Sequence, residues 1–416
     1  MDEGVAVFVG PSLRVNGRIL IVGAGPGGLT LGLLLARAGM TVSVFEQGAT
    51  FEREFRGDSL LPGGLRVLED LGLRARLRDV EHAFPSALRL HLGRSRPAFE
   101  SPALCLADGT PVVMTIPQAR LLEALAGAAS SFAGFALHTG TAVRDLVMEG
   151  GRVAGVRHAD GETQADLVIG FDGRFSVTRR CAGIELETSR VDFDIAWCSI
   201  EGVGRLHDRY EASASGDEVC FWSPNGAALR IGWLLRKGGF DALRAAGLER
   251  LKERLCAALP EDLHAPLRAA LRSWEDVTLL PAVSAMARRW WRPGLLLLGD
   301  AAHPMSPVGA QGINVALFDA VIASRHLLAL ARADAFERPA AVDAALAAIE
   351  AERRPAVKRI ARMQNILPHL MLAIGPERAL RLAVAVIRPF VRSRFRPGFV
   401  RAQIERFAWG DPAVRV

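Results

Sequence analysis

The sequence predicts an α/β fold: a Rossmann-like nucleotide domain, an antiparallel β-sheet inserted into it, and helices at the C-terminal end. Three observations predict it. A glycine-spaced strand–turn–helix–strand unit occupies Arg18 to Glu46, and two later apolar strands end in an acid beside a glycine, Asp172-Gly173 and Gly299-Asp300. Between those two lies a stretch of short, aromatic-containing strand patterns, from Thr188 to Val277. With 416 residues the chain is long for one domain, and half of it is hydrophobic, so it can bury a large core.

In "GRILIVGAGPGGLTLGLLLARAGMTVSVFEQ", Ile19 to Val22 read as a buried parallel strand, Leu29 to Ala38 as an apolar helix ended by Gly39, and Thr41 to Phe45 as the second strand. Gly23 permits the tight turn, Gly25 lets backbone approach a pyrophosphate, and Gly28 lets helix and strand pack closely. The free N–H groups at the helix start favour negative charge. Glu46 closes the second strand near the roughly 20-residue spacing of the acid that holds a ribose hydroxyl. A lone GxGxxG also serves ordinary turns; with both strands, the helix and the acid in place, an ADP-containing dinucleotide is the better reading.

"ADLVIGFDGRFSVTRR" and "LLLLGDAAHPMSPVGAQGIN" are two further strands that end at the same kind of device. One strand-ending Asp-Gly is usually a turn; three in this order are hard to assign to chance. Together they resemble the three FAD signatures of class A flavoprotein monooxygenases, the para-hydroxybenzoate hydroxylase group, and the resemblance runs from about Arg18 to about Asn365. "FRGDSLLPGGLRVLEDLGL" resembles the family's Arg-Gly stretch beside the flavin nucleotide. "IPQARLLEAL" resembles the helix whose glutamine faces the cofactor, and "GRVAGVRHADGETQADLVIG" the hairpin that leads into the Asp-Gly pair.

The resemblance implies a GR2/PHBH-like FAD-binding domain, discontinuous over 1–75, 101–187 and 278–365. It implies a substrate domain over 76–100 and 188–277, and a C-terminal helical segment over 366–416. Glu46 would hold the adenosine ribose, Arg56 and Gln118 the phosphate and ribityl region, and Asp172 would belong to the same cofactor site. Asp300 would bind the ribityl or pyrophosphate segment, and the backbone of Gly312, Ile313 and Asn314 would face the flavin pyrimidine ring. A physical reason supports the last assignment: reduced flavin carries negative charge near N1 and C2=O, and a helix starting around Asn314 offers unpaired N–H groups and a positive dipole end. Pro307, with Pro304, stiffens the turn beside the reacting ring, and Gly309 lets backbone approach it. Phe171 and Ala310 depart from the family pattern, which mostly has a small residue at the first position and often glycine at the second.

On the substrate side, Trp222 and Trp233 are the aromatics expected near the substrate, with packing in the sheet as the equally plain alternative. Tyr210 as an acid or donor, Asp58 as an active-site or capping aspartate, and His303 as a residue bonding the turn backbone stay open, and no general base is chosen. After Asn365, "ILPHLMLAIGPERALRLAVAVIRPFVRSRFRPGF" has helical apolar spacing with breaks at Pro368, Gly375-Pro376 and Pro389. It reads as helices covering the substrate cavity, or alternatively as an interfacial helix touching anionic lipid.

The function implied is FAD-dependent monooxygenation. NADH or NADPH, a transient co-substrate, reduces the flavin, O₂ adds at C4a, and the hydroperoxide hydroxylates or epoxidises a small, apolar, aromatic molecule, with secondary metabolism as the setting. The flavin carries the hard chemistry, which agrees with the absence of a catalytic dyad. A reductase of the same fold and a non-catalytic FAD-binding protein are the rivals; a halogenase would carry a WxWxIP stretch, which the sequence lacks. Composition bounds the rest. Net charge is +6 with pI about 9.5, without a basic cluster, so no nucleic-acid partner is expected. Five cysteines without a CxxC pair give neither a disulfide framework nor a zinc signature. Asp2 and Glu3 replace the basic start of a signal peptide, and no uninterrupted apolar run reaches a membrane span, so a cytoplasmic protein, at most peripheral at the membrane, is expected.

Overall fold

The computed structural model describes residues 17–392 apart from 53–57, 79, 81, 93–96, 102–112, 205–206 and 216–217, together with 414 and 416. Its first layer is a six-stranded sheet in the spatial order Trp291–Arg292, Leu295–Leu297, Leu167–Gly170, Arg18–Val22, Thr41–Phe45 and Phe135–His138. All neighbours are parallel except the outermost pair, Trp291–Arg292 against Leu295–Leu297. The central strands are apolar runs because helices cover both faces, as a parallel sheet requires. Ile19, Val42, Leu167 and Leu296 are buried in one continuous core.

Register decides what the sheet can do. Val22 lies opposite Phe45 and Gly170, and Gly170 lies opposite Leu297. Three strands distant in sequence therefore end level, and the Gly23 turn, Glu46, Asp172-Gly173 and Gly299-Asp300 all emerge at one carboxyl edge. Open α/β sheets bind ligands at this edge.

The helix after the first strand is Pro26–Arg37, three residues earlier than its apolar pattern suggests, because Gly25 serves as N-cap and Pro26 takes the first turn, where its missing N–H costs nothing. The Gln311–Arg332 helix likewise starts before Asn314. This helix is long and apolar enough to cross a membrane, but 72% of its apolar window is buried in the protein, against the Pro26–Arg37 and Pro339–Ile374 helices. Its N-cap, Ala310, has φ 52° and ψ 37°, the left-handed region. An L-residue there costs roughly 1–2 kcal/mol. Ala310→Gly is therefore expected to raise unfolding free energy by about 1 kcal/mol in a urea titration, net of glycine's entropy; no gain would show that the strain is relieved elsewhere.

The second layer is a seven-stranded sheet in the order Thr278–Pro281, Phe193–Ile200, Ala228–Arg236, Glu218–Asn225, Tyr210–Ser215, Leu88–Leu92 and Phe99–Ser101. Thr278–Pro281 hydrogen-bonds to Phe193–Ile200, so the sheet runs past the expected edge at 277. One face is backed by the Gly239–Ala246, Leu248–Ala258 and His264–Ala270 helices. On the other face, Leu92, Ala214 and Val219 meet Met371, Ala379 and Leu380 of the C-terminal helices. Those helices, Pro339–Ile374 and Pro376–Arg392, break at Gly375 (φ 86°) and not at Pro368, and the first crosses the expected boundary at 365 without interruption. Pro368 is absorbed because the apolar face of the helix stays buried on both sides of it, at Val357, Ile360 and Met371. A proline removes one hydrogen bond; it need not end a well-packed helix. Pro389 also lies within a helix.

Candidate active site

A groove of about 390 Å³ follows the carboxyl edge of the parallel sheet, within the usual size of a small-molecule site. Gly23, Gly25 and Gly28 line it from the first turn, Glu46 from the end of the second strand, and Gln118 from the first turn of the Gln118–Ala129 helix. Asp172 and Asp300 reach it from the other two strand ends, and Gly312 and Ile313 from the start of the Gln311–Arg332 helix.

The glycines divide by what surrounds them. A Cβ on Gly23 (φ 105°) would stand 2.4 Å from the Phe171 carbonyl oxygen, and one on Gly28 would stand 2.0 Å from that of Gly23. Both are demanded by the protein's own packing. A Cβ on Gly25 or Gly312 would meet nothing within 4 Å. These two face open groove. The Pro26–Arg37 and Gln311–Arg332 helices both start there without a side-chain cap, so their leading N–H groups and positive dipole ends point into one space. An extended molecule with a diphosphate at one end and an anionic ring at the other fits this arrangement.

The acids take different parts. Glu46 is buried; its Oε2 accepts from the Ala24 N–H and its Oε1 from the Gly48 N–H, both at 2.9 Å, which clamps the turn and aims the carboxylate at the groove. Asp172 turns inward: it accepts from Ser176 Oγ (2.6 Å), Thr178 Oγ1 (2.8 Å) and Thr178 N–H (2.9 Å), building the turn that Arg179 then bonds to the Ala301 carbonyl. Asp300 is part-exposed and lies 3.6 Å from Arg174, whose guanidinium also donates to the Pro281 carbonyl.

The Asn314 side chain takes a structural part: buried, it accepts from the Leu61 N–H (2.9 Å) and donates to the Ala310 carbonyl (2.8 Å), so it fastens the helix tip to the Ser59–Leu60 segment. Pro307 and Gly309 are not in the groove wall; the loop they flank turns towards the second sheet, where Val308 packs on the cluster of Phe193, Ile195 and Ala282. Gln364 holds that loop by donating to the Ser306 and Val308 carbonyls. Arg56 lies outside the described residues.

Trp222 and Trp233 follow the sheet-packing alternative. Both belong to the face backed by helices, 1% and 2% exposed, among Leu251, Leu255 and Leu267. Trp233 donates to Glu218 and lies under Arg254. The face turned to the nucleotide domain carries Trp197 and Phe221, ring centroids 5.1 Å apart at 87°, with Leu234 and Val308. Side-chain direction alternates along a strand, so adjacent Phe221 and Trp222 must face opposite ways.

Two residues outside the expected set organise the site. Asp319, within an otherwise apolar helix, accepts from the Gly299 N–H (3.0 Å), from His303 Nε2 (2.7 Å) and from Arg353 Nε (2.7 Å), all buried. His303 thus bonds a carboxylate through its ring. A lone acid in "NVALFDAVIAS" was a visible signal of this role. Phe171 lays its ring across Gly27 and Gly299, where added Cβ atoms would come within 2.4 and 3.3 Å of it, so it forms the groove floor.

Comparison with known proteins agrees with this geometry. The family described as an FAD binding domain matches residues 17–364. The 6-methylpretetramide 4-monooxygenase of Streptomyces rimosus is 37% identical over 407 residues, covering 96% of this chain and 93% of that protein. The 3-amino-4-hydroxybenzoate 2-monooxygenase PtmB3 of Streptomyces platensis is 28% identical, covering 88% of this chain and 91% of its own length. Among solved structures, a variant of Pseudomonas aeruginosa PqsL superposes with TM-score 0.74 at 25% identity, over 88% of this chain and 99% of that one.

Proposed function

The chain belongs to the FAD-binding domain family, and from that premise we propose that it oxygenates a small, apolar aromatic molecule bearing a ring hydroxyl. It is an FAD-dependent monooxygenase of the PHBH-like fold that uses NADH or NADPH and O₂. Bound FAD supplies the redox chemistry: it accepts hydride and activates oxygen. In our assignment Glu46 holds the ribose, the Pro26–Arg37 helix tip the pyrophosphate, Gln118 and Asp300 the ribityl region, and the backbone at Gly312 and Ile313 the pyrimidine edge. Asp172 builds the turn at the groove wall, and the Asn314 side chain holds the second helix tip in place.

The observation that carries the substrate reading is the sheet face above the cofactor end of the groove. It presents Trp197, Phe221 and Leu234, which pack with Val308 of the cofactor loop on the cluster of Phe193, Ile195 and Ala282. Flat aromatic and aliphatic groups of this kind receive an aromatic ring and keep water from the reacting oxygen. The relatives' names, a 6-methylpretetramide 4-monooxygenase and a 3-amino-4-hydroxybenzoate 2-monooxygenase, supply two first probes. Action in the cytoplasm belongs to this proposal. Exposed Ile366, Ile374 and Leu382 on the C-terminal helices support peripheral lipid contact as part of the same proposal.

Substrate-dependent NAD(P)H oxidation under ¹⁸O₂ is expected to place one labelled oxygen in the product of at least one probe. A reduced, unlabelled product would make the protein a reductase instead, and no substrate-stimulated oxidation with either probe would overturn the substrate class.

A further inference from the structure

Asp58 stands at the seam between the two sheets. Its backbone carbonyl accepts from the Ile116 N–H (2.8 Å), two residues before the groove residue Gln118. Three residues after it, Leu61 is bonded by Asn314 in the first turn of the helix whose tip lines the cofactor groove. On its other side, Asp58 Oδ2 accepts from Asn225 Nδ2 (2.8 Å) at the end of a sheet strand and lies 3.9 Å from Arg230 Nε. The side chain is thus fixed between the flavin end of the groove and the sheet roof.

Among the described residues, one buried acceptor there is left without a hydrogen bond: Asn225 Oδ1 has no partner, and the Ser59 hydroxyl stands a distant 3.4 Å from Asp58 Oδ1. With Nδ2 committed to Asp58, the Asn225 amide orientation is set, and its oxygen and the adjacent carboxylate oxygen are two acceptors in one buried place. Buried acceptors without a donor are costly. A hydroxyl from a bound molecule would donate its one hydrogen to one of them.

We propose that Asp58 is the catalytic base of the reaction, accepting the proton of the substrate's ring hydroxyl while Asn225 and Arg230 orient it. The substrate O–H bond breaks, the proton passes to an Asp58 carboxylate oxygen, and the electron pair stays on the substrate oxygen. The ring becomes electron-rich and so more reactive towards the oxygen it receives. This rests on the substrate reading above, that a hydroxylated aromatic is bound.

The charge environment suits the task. Burial pushes the Asp58 carboxyl up to about 6, against the opposing pull of Arg230, and a base is most effective with a pKa near working pH. Among the described residues, the groups facing it are Arg230, Tyr210, Asn225 and its neighbour Ser59. Burial and the Asp58 charge push the Tyr210 phenol well up from its ordinary value, so Tyr210 stays neutral throughout. The signs are explicit. Because the folded value is raised, Asp58 favours folding below its ordinary 3.8 and loses that contribution as pH rises through about 6. The catalytic form is the ionised one, so the rate should rise over the range in which that stabilisation is lost.

The test uses full-length, FAD-loaded protein with 6-methylpretetramide and 3-amino-4-hydroxybenzoate. Asp58→Asn is expected to lower kcat by about 10²-fold or more, to abolish the rise in rate through pH 6, and to keep the flavin colour. Its Tm at pH 8 should equal or exceed that of the unmodified protein, since no buried charge remains. Asp58→Glu should recover part of the rate and its pH limb. A kcat for Asp58→Asn within about threefold of the parent, or an unchanged pH limb, overturns the assignment. So does a rate loss that comes with a lowered Tm and lost flavin, which is the mark of a merely structural aspartate. If the unmodified protein turns over neither probe, the substrate reading fails first and this one falls with it.

Discussion

Replacing Asp319 by alanine is expected to cost about 3–5 kcal/mol of stability, the range for breaking a buried ion pair from one side. The side chains of Asp319, His303 and Arg353 are 0–2% exposed, so water cannot take over from a missing partner. Without the carboxylate, the Arg353 guanidinium would remain buried with its charge uncompensated, and the Gly299 N–H and His303 ring would each lose an acceptor. One Arg353 nitrogen, Nη2, already lacks a partner, so no reserve exists. Because Gly299 precedes Asp300, the same substitution should loosen the cofactor loop and reduce FAD retention. Urea unfolding with flavin quantification checks both; a loss below about 1 kcal/mol, the value of a solvated pair, would show that the charges are hydrated. Replacing Asp319 and Arg353 together by leucine and methionine should recover much of the loss, since the large term is an unpaired buried charge. The pH dependence has a definite direction. Burial opposes ionisation of Asp319, but His303 and Arg353 outweigh it and hold the carboxyl below its ordinary 3.8. Its contribution is therefore complete above that value and is lost as pH falls through the lower folded one.

Asp319 also shows where reading a sequence stops. The acid stands out in its apolar helix, but its partner Arg353 is 34 residues away on another helix, and no local pattern joins them. The strand ends were legible for the opposite reason. Each is a short apolar run that ends at a glycine, followed by an acid in two of the three, a pattern that is local, and parallel pairing then sets Val22, Gly170 and Leu297 level. The second sheet was legible as strands but not as faces. In "EVCFWSPN" Phe221 and Trp222 are neighbours, so one must point each way, and composition favoured the larger ring as a substrate contact. Which face meets the nucleotide domain is set by the helices on the other side, through contacts such as Trp222 and Trp233 with Leu251 and Leu255. Asn314 shows a third kind of gap. The helix tip was recognisable, but its side chain is used for the Leu61 N–H, 253 residues away.

Gly25→Val should leave the fold intact and remove the cofactor. The two effects separate at this position because the packing around it differs from that around its neighbours. At Gly28 an added Cβ would stand 2.0 Å from a backbone oxygen, so any substitution there disturbs the strand–helix contact and confuses instability with lost binding. At Gly25 the added atoms enter space that the protein leaves empty, and the backbone, with φ −75° and ψ 179°, is open to any residue. Valine there should change Tm little. It should also occupy the place where a diphosphate must approach the leading N–H groups of the Pro26–Arg37 helix, whose dipole and unpaired donors are the attraction. Loss of close contact with a charged group at such a site is worth several hydrogen bonds of about 1.5–3 kcal/mol each, so FAD affinity should fall by at least about 10²-fold. The purified variant is expected to be colourless, to melt near the parent apoprotein, and to regain little flavin on incubation with excess FAD. Gly312→Val extends the argument to the other end of the groove, where an added Cβ would again meet nothing within 4 Å. A yellow, fully loaded Gly25→Val protein would mean that the dinucleotide does not lie across the first turn, and the assignments of Glu46, Asp300 and the second helix tip would lose their common ligand.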